Sequence, residues 1–222
     1  NNVAVGSDNY GFWYRPELEA TGTSTHTPEV HPSEERMGVC FNNEAHSHGK
    51  YGFRVFPAYN PKAVANFDKI HTWRNAQTGV AATSISTFRF NNLISAENKK
   101  SGFECRIIFS PWGDAGIYDS LFIGRASLPG SSVLSTTGNG IWTPHMIGFE
   151  IHNTTFANYV GKGGIEFCAH CGRCGSPEEG KHDGMETRTS GLKFVNCPNS
   201  RVRYRHKFEG ILHDMDGSLT GL

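Results

Sequence analysis

Three stretches of this 222-residue chain follow one grammar. FNNEAHSHGKYGFRV (41–55), FNNLISAENKKSGFECR (90–106) and IHNTTFANYVGKGGIEFC (151–168) each set an apolar residue before one or two Asn. A polar run follows, then Gly leading into an apolar strand. IHTWRNAQTGVAAT (70–83) fits loosely, and Gly52, Gly79 and Gly102 lie 27 and 23 residues apart. A period of this size, built from short strands, points to a solenoid of β-coils. No long stretch carries apolar residues at three-and-four spacing with helix caps. Each coil of a solenoid must turn sharply between strands, which favours Gly and Asn because both tolerate positive φ. Asn at equivalent places in successive coils can hydrogen-bond in a ladder, while inward Phe, Ile and Val stack in rows.

The strand-like pieces alternate apolar and polar residues, as strands with one buried face do. They are YGFRVF (51–56), GVAATSIS (79–86), STFRFNN (86–92), GFECRIIFS (102–110), GIYDSLFIG (116–124), MIGFEIHNTTF (146–156), GGIEFC (163–168) and SGLKFVNC (190–197). An antiparallel sandwich also shows many short strands at regular spacing. The internal repeat favours the solenoid, so the expectation is an all-β chain forming a parallel β-helix. The length suits one domain or a slice of a larger one.

Twenty-one basic and 21 acidic residues leave no net charge, which removes the electrostatic case for a nucleic-acid partner. The one basic cluster, RVRYRHK (201–207), alternates Arg201, Arg203 and Arg205 as on a solvated strand face. No apolar run reaches the ~18 residues a membrane helix needs. The chain opens Asn1-Asn2-Val3-Ala4 without an initiator Met, so a fragment or processed piece is expected. Six cysteines, 26 glycines and the glycosylation sequon at Asn153 (Asn153-Thr154-Thr155) together indicate an oxidising, extracellular setting.

VAVGSDNYGFWYRPELEATGTS (3–24), FNNEAHSHGKYGFRVFPAY (41–59), YDSLFIGRAS (118–127), IHNTTFANY (151–159) and LHDMDGSLTG (212–221) resemble one family, in order over nearly the whole chain. It comprises fibrocystin-L, the cell-migration-inducing hyaluronan-binding protein and the cell-surface hyaluronidase. The resemblance implies a right-handed parallel β-helix from a large secreted or membrane-tethered protein with G8 domains. Residues 1–222 would be a single segment from the C-terminal part of that helix, with a Cys-rich loop at 168–183. Two members are associated with hyaluronan binding and depolymerisation, but the family residues implicated in hydrolysis lie upstream of this stretch. No family catalytic residue is carried onto a position here. The chain departs from the pattern twice. It has Ala45-His46-Ser47-His48 where relatives usually show AHSN, and it inserts CAHCGRC (168–174).

Several residues can bear chemistry. Cys168-x-x-Cys171, with Cys174, His170 or His182, is a partial zinc set lacking a second pair. The favoured alternative is three disulfides among Cys40, Cys105, Cys168, Cys171, Cys174 and Cys197. No βαβ pattern surrounds the CxxC, which argues against a thioredoxin-like role. His46 and His48, two apart on a strand, would face one side and present two imidazoles to copper or zinc. His71, His26 or His31 would supply a third; a buried hydrogen bond or ladder role is the plainer reading. HDMDGS (213–218) places Asp214 and Asp216 like the start of a calcium loop, without its closing Glu. The same two carboxylates suit a glycosidase pair or a polar turn. In the opening block Tyr10, Trp13 and Arg15 are candidates for stacking on sugar rings and meeting a uronate carboxylate, whereas Phe12 suits the core.

No GxSxG, P-loop or dinucleotide fingerprint occurs, so nucleophilic hydrolase and nucleotide chemistry is not expected. The sequence therefore reads as an extracellular scaffold or binding module that meets a glycan or protein partner and adjoining parts of its parent chain. The alternative is a hyaluronan-type polysaccharide depolymerase, or a metal-dependent enzyme with a His-based site.

Overall fold

The computed structural model describes residues 1–27, 29–107, 111–124, 138–144, 148–159, 165–167, 185–198, 201–204 and 210–221. Its strands follow one another round a coil, three to a turn. The first coil holds β1 (Val3–Val5), β2 (Tyr10–Tyr14) and β3 (Cys40–Phe41), and the second β4 (Glu44–His46), β5 (Tyr51–Tyr59) and β6 (Ala65–Asp68). The third is β7 (His71–Trp73), β8 (Thr78–Ile85) and β9 (Phe88–Asn91), and the fourth β10 (Ile94–Ala96), β11 (Ser101–Ile107) and β12 (Ala115–Tyr118). The fifth is β13 (Leu121–Ile123), β14 (Asn139–Thr143) and β15 (Phe149–His152), and the sixth β16 (Thr155–Ala157), β17 (Ile165–Phe167) and β18 (Met185–Ser190). The seventh is β19 (Lys193–Val195), β20 (Val202–Tyr204) and β21 (Gly210–Asp214).

Equivalent strands stack into three seven-stranded sheets. Sheet 1 begins with β1, sheet 2 with β2 and sheet 3 with β3, and every pairing within them is parallel. This is the expected parallel β-helix, and the sandwich alternative falls because its pairs would be antiparallel.

In-register stacking converts the sequence repeat into columns. On sheet 2 the inward column runs Phe12, Phe53, Val80, Phe103, Ile141, Ile165 and Val202. On sheet 3, Phe67 and Phe90 stack with ring centroids 4.6 Å apart. The inward column of sheet 1 changes character along the axis. Ala45, Thr72 and Ser95 line the second to fourth coils, and Phe122, Phe156 and Phe194 the fifth to seventh. Where the column is small and polar, the corner behind it carries a buried ladder. The backbone N–H of His48 donates to Asn75 Oδ1, and that of Asn75 to Asn98 Oδ1, each at 3.1 Å. These bonds satisfy polar groups that burial would otherwise strand.

The corners explain where sequence patterning misplaced strands. The stretches 116–124 and 146–156 were each expected as one strand, but the first holds β12 and β13 parted at Asp119 (φ 50°) and the second β15 and β16 parted at Asn153 (φ 47°). Asn42, Lys69 and Asn92 turn the same corner in earlier coils, and Gly6, Ser47, Arg74 and Glu97 turn the corner between sheets 1 and 2, all at positive φ.

Candidate functional site

The outer face of sheet 2 in the first two coils gathers four aromatic rings round one guanidinium. β2 and β5 pair with Tyr10 opposite Tyr51, Phe12 opposite Phe53 and Trp13 opposite Arg54. Phe12 and Phe53 turn inward, their rings 6.0 Å apart, and Phe12 packs against the core as expected. Tyr10 and Tyr51 stack outside, 5.6 Å apart and within 5° of parallel. The Arg54 guanidinium lies 4.7 Å from the centroid of Tyr10, 5.5 Å from Tyr51, 5.8 Å from Trp13 and 4.4 Å from Phe56. Its Nη1 also donates to the Tyr10 hydroxyl. A planar, weakly hydrated guanidinium is the cation suited to such a cage. Trp13 remains 46% exposed. Arg15 lies 5.5 Å from its ring centroid and is ion-paired to Glu17 at 3.0 Å. Lys50 adds a cation 5.8 Å from Tyr10.

The three residues picked from sequence, Tyr10, Trp13 and Arg15, thus stand together. Tyr51, Arg54 and Phe56 were missed, although a signal was present. Arg54 follows Gly52 by the same two residues that separate Trp13 from Gly11. Rings offer sugar CH faces a stacking surface, and a stacked guanidinium offers a carboxylate or sulfate its charge.

The three histidines do not form one ligand set. Ser47 takes φ 61°, turning the corner between sheets 1 and 2. The two-residue parity of a strand is therefore lost between His46 and His48. His46 stays on the outer face of sheet 1, stacked on Trp73 at 4.3 Å, with its Nδ1 3.1 Å from Ser47 Oγ. His48 turns inside and is 2% exposed. Its Nδ1 accepts the Ser7 N–H at 3.1 Å and its Nε2 bonds the Ala4 carbonyl at 3.2 Å. Both ring nitrogens are thereby occupied, and desolvation holds the imidazole pKa below its ordinary value. His71 sits opposite Glu44, 3.7 Å from its carboxylate. Among the described residues no three His, Cys, Asp or Glu side chains converge on a common point.

The described cysteines form no disulfide with one another. Cys40 and Cys197 are thiols, and Cys105 is buried in the core. They belong to the first, seventh and fourth coils, so successive ones are three coils apart, about 14 Å along the axis. A disulfide spans Cα atoms only about 4.4–6.8 Å apart. Burial pushes the Cys40 thiol pKa up, and Cys197 Sγ bonds the Phe156 carbonyl at 3.4 Å. Cys168, Cys171 and Cys174, with His170, His182 and the rest of the loop at 168–183, lie outside the described residues.

The HDMDGS carboxylates are taken up by backbone N–H groups of their own turn and of the neighbouring coil. Asp214 accepts the Thr220 N–H at 2.8 Å and the Leu219 N–H, and Asp216 accepts the Gly191 N–H at 2.7 Å. Arg201 donates to the Leu219 carbonyl at 2.8 Å, which ties this residue of the basic cluster to the turn after β21. Asn153 of the sequon is exposed at its corner, with its amide donating to Asp119 at 3.2 Å.

A family model described as the CEMIP beta-helix matches residues 1–53, which include Tyr10, Trp13, Arg15 and Tyr51. Over its whole length the chain is 26% identical to fibrocystin-L of Mus musculus and 27% identical to that of Homo sapiens, covering 6% of each relative. Fibrocystin of Mus musculus is 33% identical over 82% of the chain, which covers 4% of that protein. The chain therefore spans a small fraction of the length of the curated relatives it matches. With three parallel sheets in seven coils and these relatives, the chain is a fibrocystin-L-like β-helix protein.

Proposed function

We propose that this chain is an extracellular β-helix module whose sheet 2 platform binds an anionic glycan. The observation that carries the reading is Arg54 seated among Tyr10, Trp13, Tyr51 and Phe56 beside a half-exposed Trp13. With no net charge on the chain, recognition of a polyanion has to come from such a local group rather than from a general field. The exposed Asn153 sequon and the family resemblance support the extracellular placement. Among the described residues no helix is long and apolar enough to cross a membrane. The parallel columns run from coil to coil, so a linear polymer laid along the axis meets equivalent positions in succession.

Calorimetric titration of the 222-residue chain with size-defined hyaluronan and heparin oligosaccharides, beside neutral dextran, tests the reading. The expected result is binding of the anionic oligosaccharides alone, weakening as salt is raised. Trp13→Ala and Arg54→Ala should each reduce affinity at least about tenfold, as central aromatic and Arg anchors do. Equal binding of dextran, or no loss in the Trp13→Ala variant, would count against the platform. Trp13 is partly exposed, so its truncation leaves the fold intact and keeps the comparison clean.

A further inference from the structure

The outer face of sheet 3 carries a line of hydrogen bonds far round the coil from the platform. β15 and β18 pair with His152 opposite Ser190 and Glu150 opposite Arg188. Glu150 and His152 are two apart on one strand and so share a face. His152 Nδ1 lies 2.5 Å from Ser190 Oγ, and His152 Nε2 lies 3.0 Å from Glu150 Oε2. The Tyr118 hydroxyl donates to the same Glu150 oxygen at 3.2 Å, and the Tyr118 ring stacks on the imidazole at 5.3 Å. Glu150 is 8% exposed, whereas His152 and Ser190 are only half-buried.

With Glu150 ionised and the imidazole neutral, the bonding order sets the proton positions. Ionised Glu150 only accepts, so His152 Nε2 carries the proton shared with it, and in the neutral ring Nδ1 keeps a lone pair. Ser190 must then donate to Nδ1. Hydroxyl, imidazole and buried carboxylate thus stand in the order that activates a serine: nucleophile, base, and the group orienting the base. The hydroxyl faces Nδ1 rather than Nε2, and either nitrogen of a neutral imidazole can serve as the base. Arg188, two residues before Ser190 on the same face, brings a cation to that side of the sheet and is held 3.9 Å over the Trp112 ring. The chain continues in the next coil past β21 to Met215, which is 61% exposed, so solvent reaches this edge. The missing GxSxG signature does not bear on this serine. That motif belongs to a strand–turn–helix elbow, which a β-solenoid does not build.

We propose that Ser190, activated by His152 and oriented through Glu150, is a nucleophile that hydrolyses carboxylic esters carried on a polymer lying across sheet 3. Ser190 Oγ bonds to the ester carbonyl carbon while its proton passes to His152 Nδ1. The C–O bond to the alcohol then breaks, and His152 returns the proton to the departing alkoxide. Water repeats the sequence against the acyl-serine, releasing the acid and restoring the hydroxyl. A half-exposed hydroxyl on a flat strand face suits an ester side group of a long chain better than a small enclosed substrate.

Labelling the folded 222-residue chain with a fluorophosphonate probe, with the adduct located by peptide mass spectrometry, tests this. The adduct is expected on Ser190, absent in Ser190→Ala and slowed on the order of 10²-fold in His152→Ala, the usual worth of a positioned base. Glu150→Gln should slow labelling and p-nitrophenyl acetate hydrolysis together. An unlabelled Ser190 in folded protein, or a rate unchanged by His152→Ala, would overturn the proposal. Should a variant fail to fold, the site of the wild-type adduct still decides it. The platform plays no part here, so the site of the adduct and the oligosaccharide titration are read independently, and either can fail without the other.

Discussion

Lowering the pH from about 7.5 to about 5 should loosen the first coil from the second, and His48→Asn should abolish most of that response. In the neutral ring Nδ1 accepts the Ser7 N–H while Nε2 donates to the Ala4 carbonyl. A proton on Nδ1 would set two donors against each other and withdraw the acceptor from a buried amide, a loss of about 1–3 kcal/mol. Burial lowers the folded-state pKa below 6.5, and the charge of His46 acts in the same direction. The sign follows from that depression. The unfolded chain takes up its proton first, so the stabilisation is present above about pH 6.5 and declines as pH falls toward the folded value. The other groups round the ring are the Ala4 carbonyl, the Ser7 amide, Gly11 and Asn75, none of which titrates in this range. Asp214 and Asp216 are held below their ordinary 3.8 and act at lower pH. Asn is the residue the ladder uses at Asn75 and Asn98, where Oδ1 accepts the preceding N–H without titrating. The melting temperature of the wild type should fall several degrees between the two pH values, at about 2–4 °C per kcal/mol. Amide exchange should speed up first at residues 4–9. A flat profile in the wild type, or an equal fall in His48→Asn, would refute this assignment. Tyr10 and Trp13 sit on the first coil and Tyr51 and Arg54 on the second. The same acidification should therefore weaken oligosaccharide binding in the wild type more than in the variant.

The departure from AHSN that drew attention to a metal is thus a substitution within a ladder, and it marks what sequence could and could not disclose. The column Gly52, Gly79 and Gly102 was legible because three glycines recur at one place in the repeat, and Asn42 and Asn92 marked corners for the same reason. Lys69, Arg74 and Glu97 turn equivalent corners at φ near 52°, and nothing in those residue types announces a left-handed backbone. Parity arguments failed wherever such a corner intervened. Ser47 sends His46 outward and His48 inward, and Asp119 and Asn153 split apparent single strands. Ser190 and His152 are 38 residues apart in sequence. Their meeting depends on coil lengths that vary with each insertion, so stacking alone reveals it. The platform lay between these cases. Its first-coil half stood out as an aromatic run, while Arg54 became visible only once Gly11 and Gly52 were superposed.

Gly79→Ala should destabilise the chain severely, for a reason distinct from backbone freedom. Gly79 does not carry a positive φ. A Cβ there would stand 2.4 Å from Thr72 Oγ1, 2.5 Å from Ser95 Oγ and 2.6 Å from the Gly102 carbonyl oxygen. Thr72 and Ser95 are buried and hydrogen-bonded to each other at 3.2 Å, and Ser95 also donates to the Gly102 carbonyl at 3.0 Å. A methyl group can enter only by breaking that chain of bonds or by spreading two coils whose spacing is set by the parallel ladder on both sides. Overpacking of this kind costs about 1–3 kcal/mol, and each buried group left without its partner adds about 1–3 kcal/mol more. The loss should appear as a drop in melting temperature of order 10 °C. Gly38→Ala is the matched control, since nothing lies within 4 Å of its Cβ position and it has no positive φ. Because β8 lies between β5 and β11, the damage should spread both ways along the axis. Gly79→Ala should therefore reduce oligosaccharide binding at Trp13 and Arg54, although it touches neither. If the variant melted within about 1 °C of the wild type, the close approach of the coils at this column would be wrong, and with it the reason glycine recurs there.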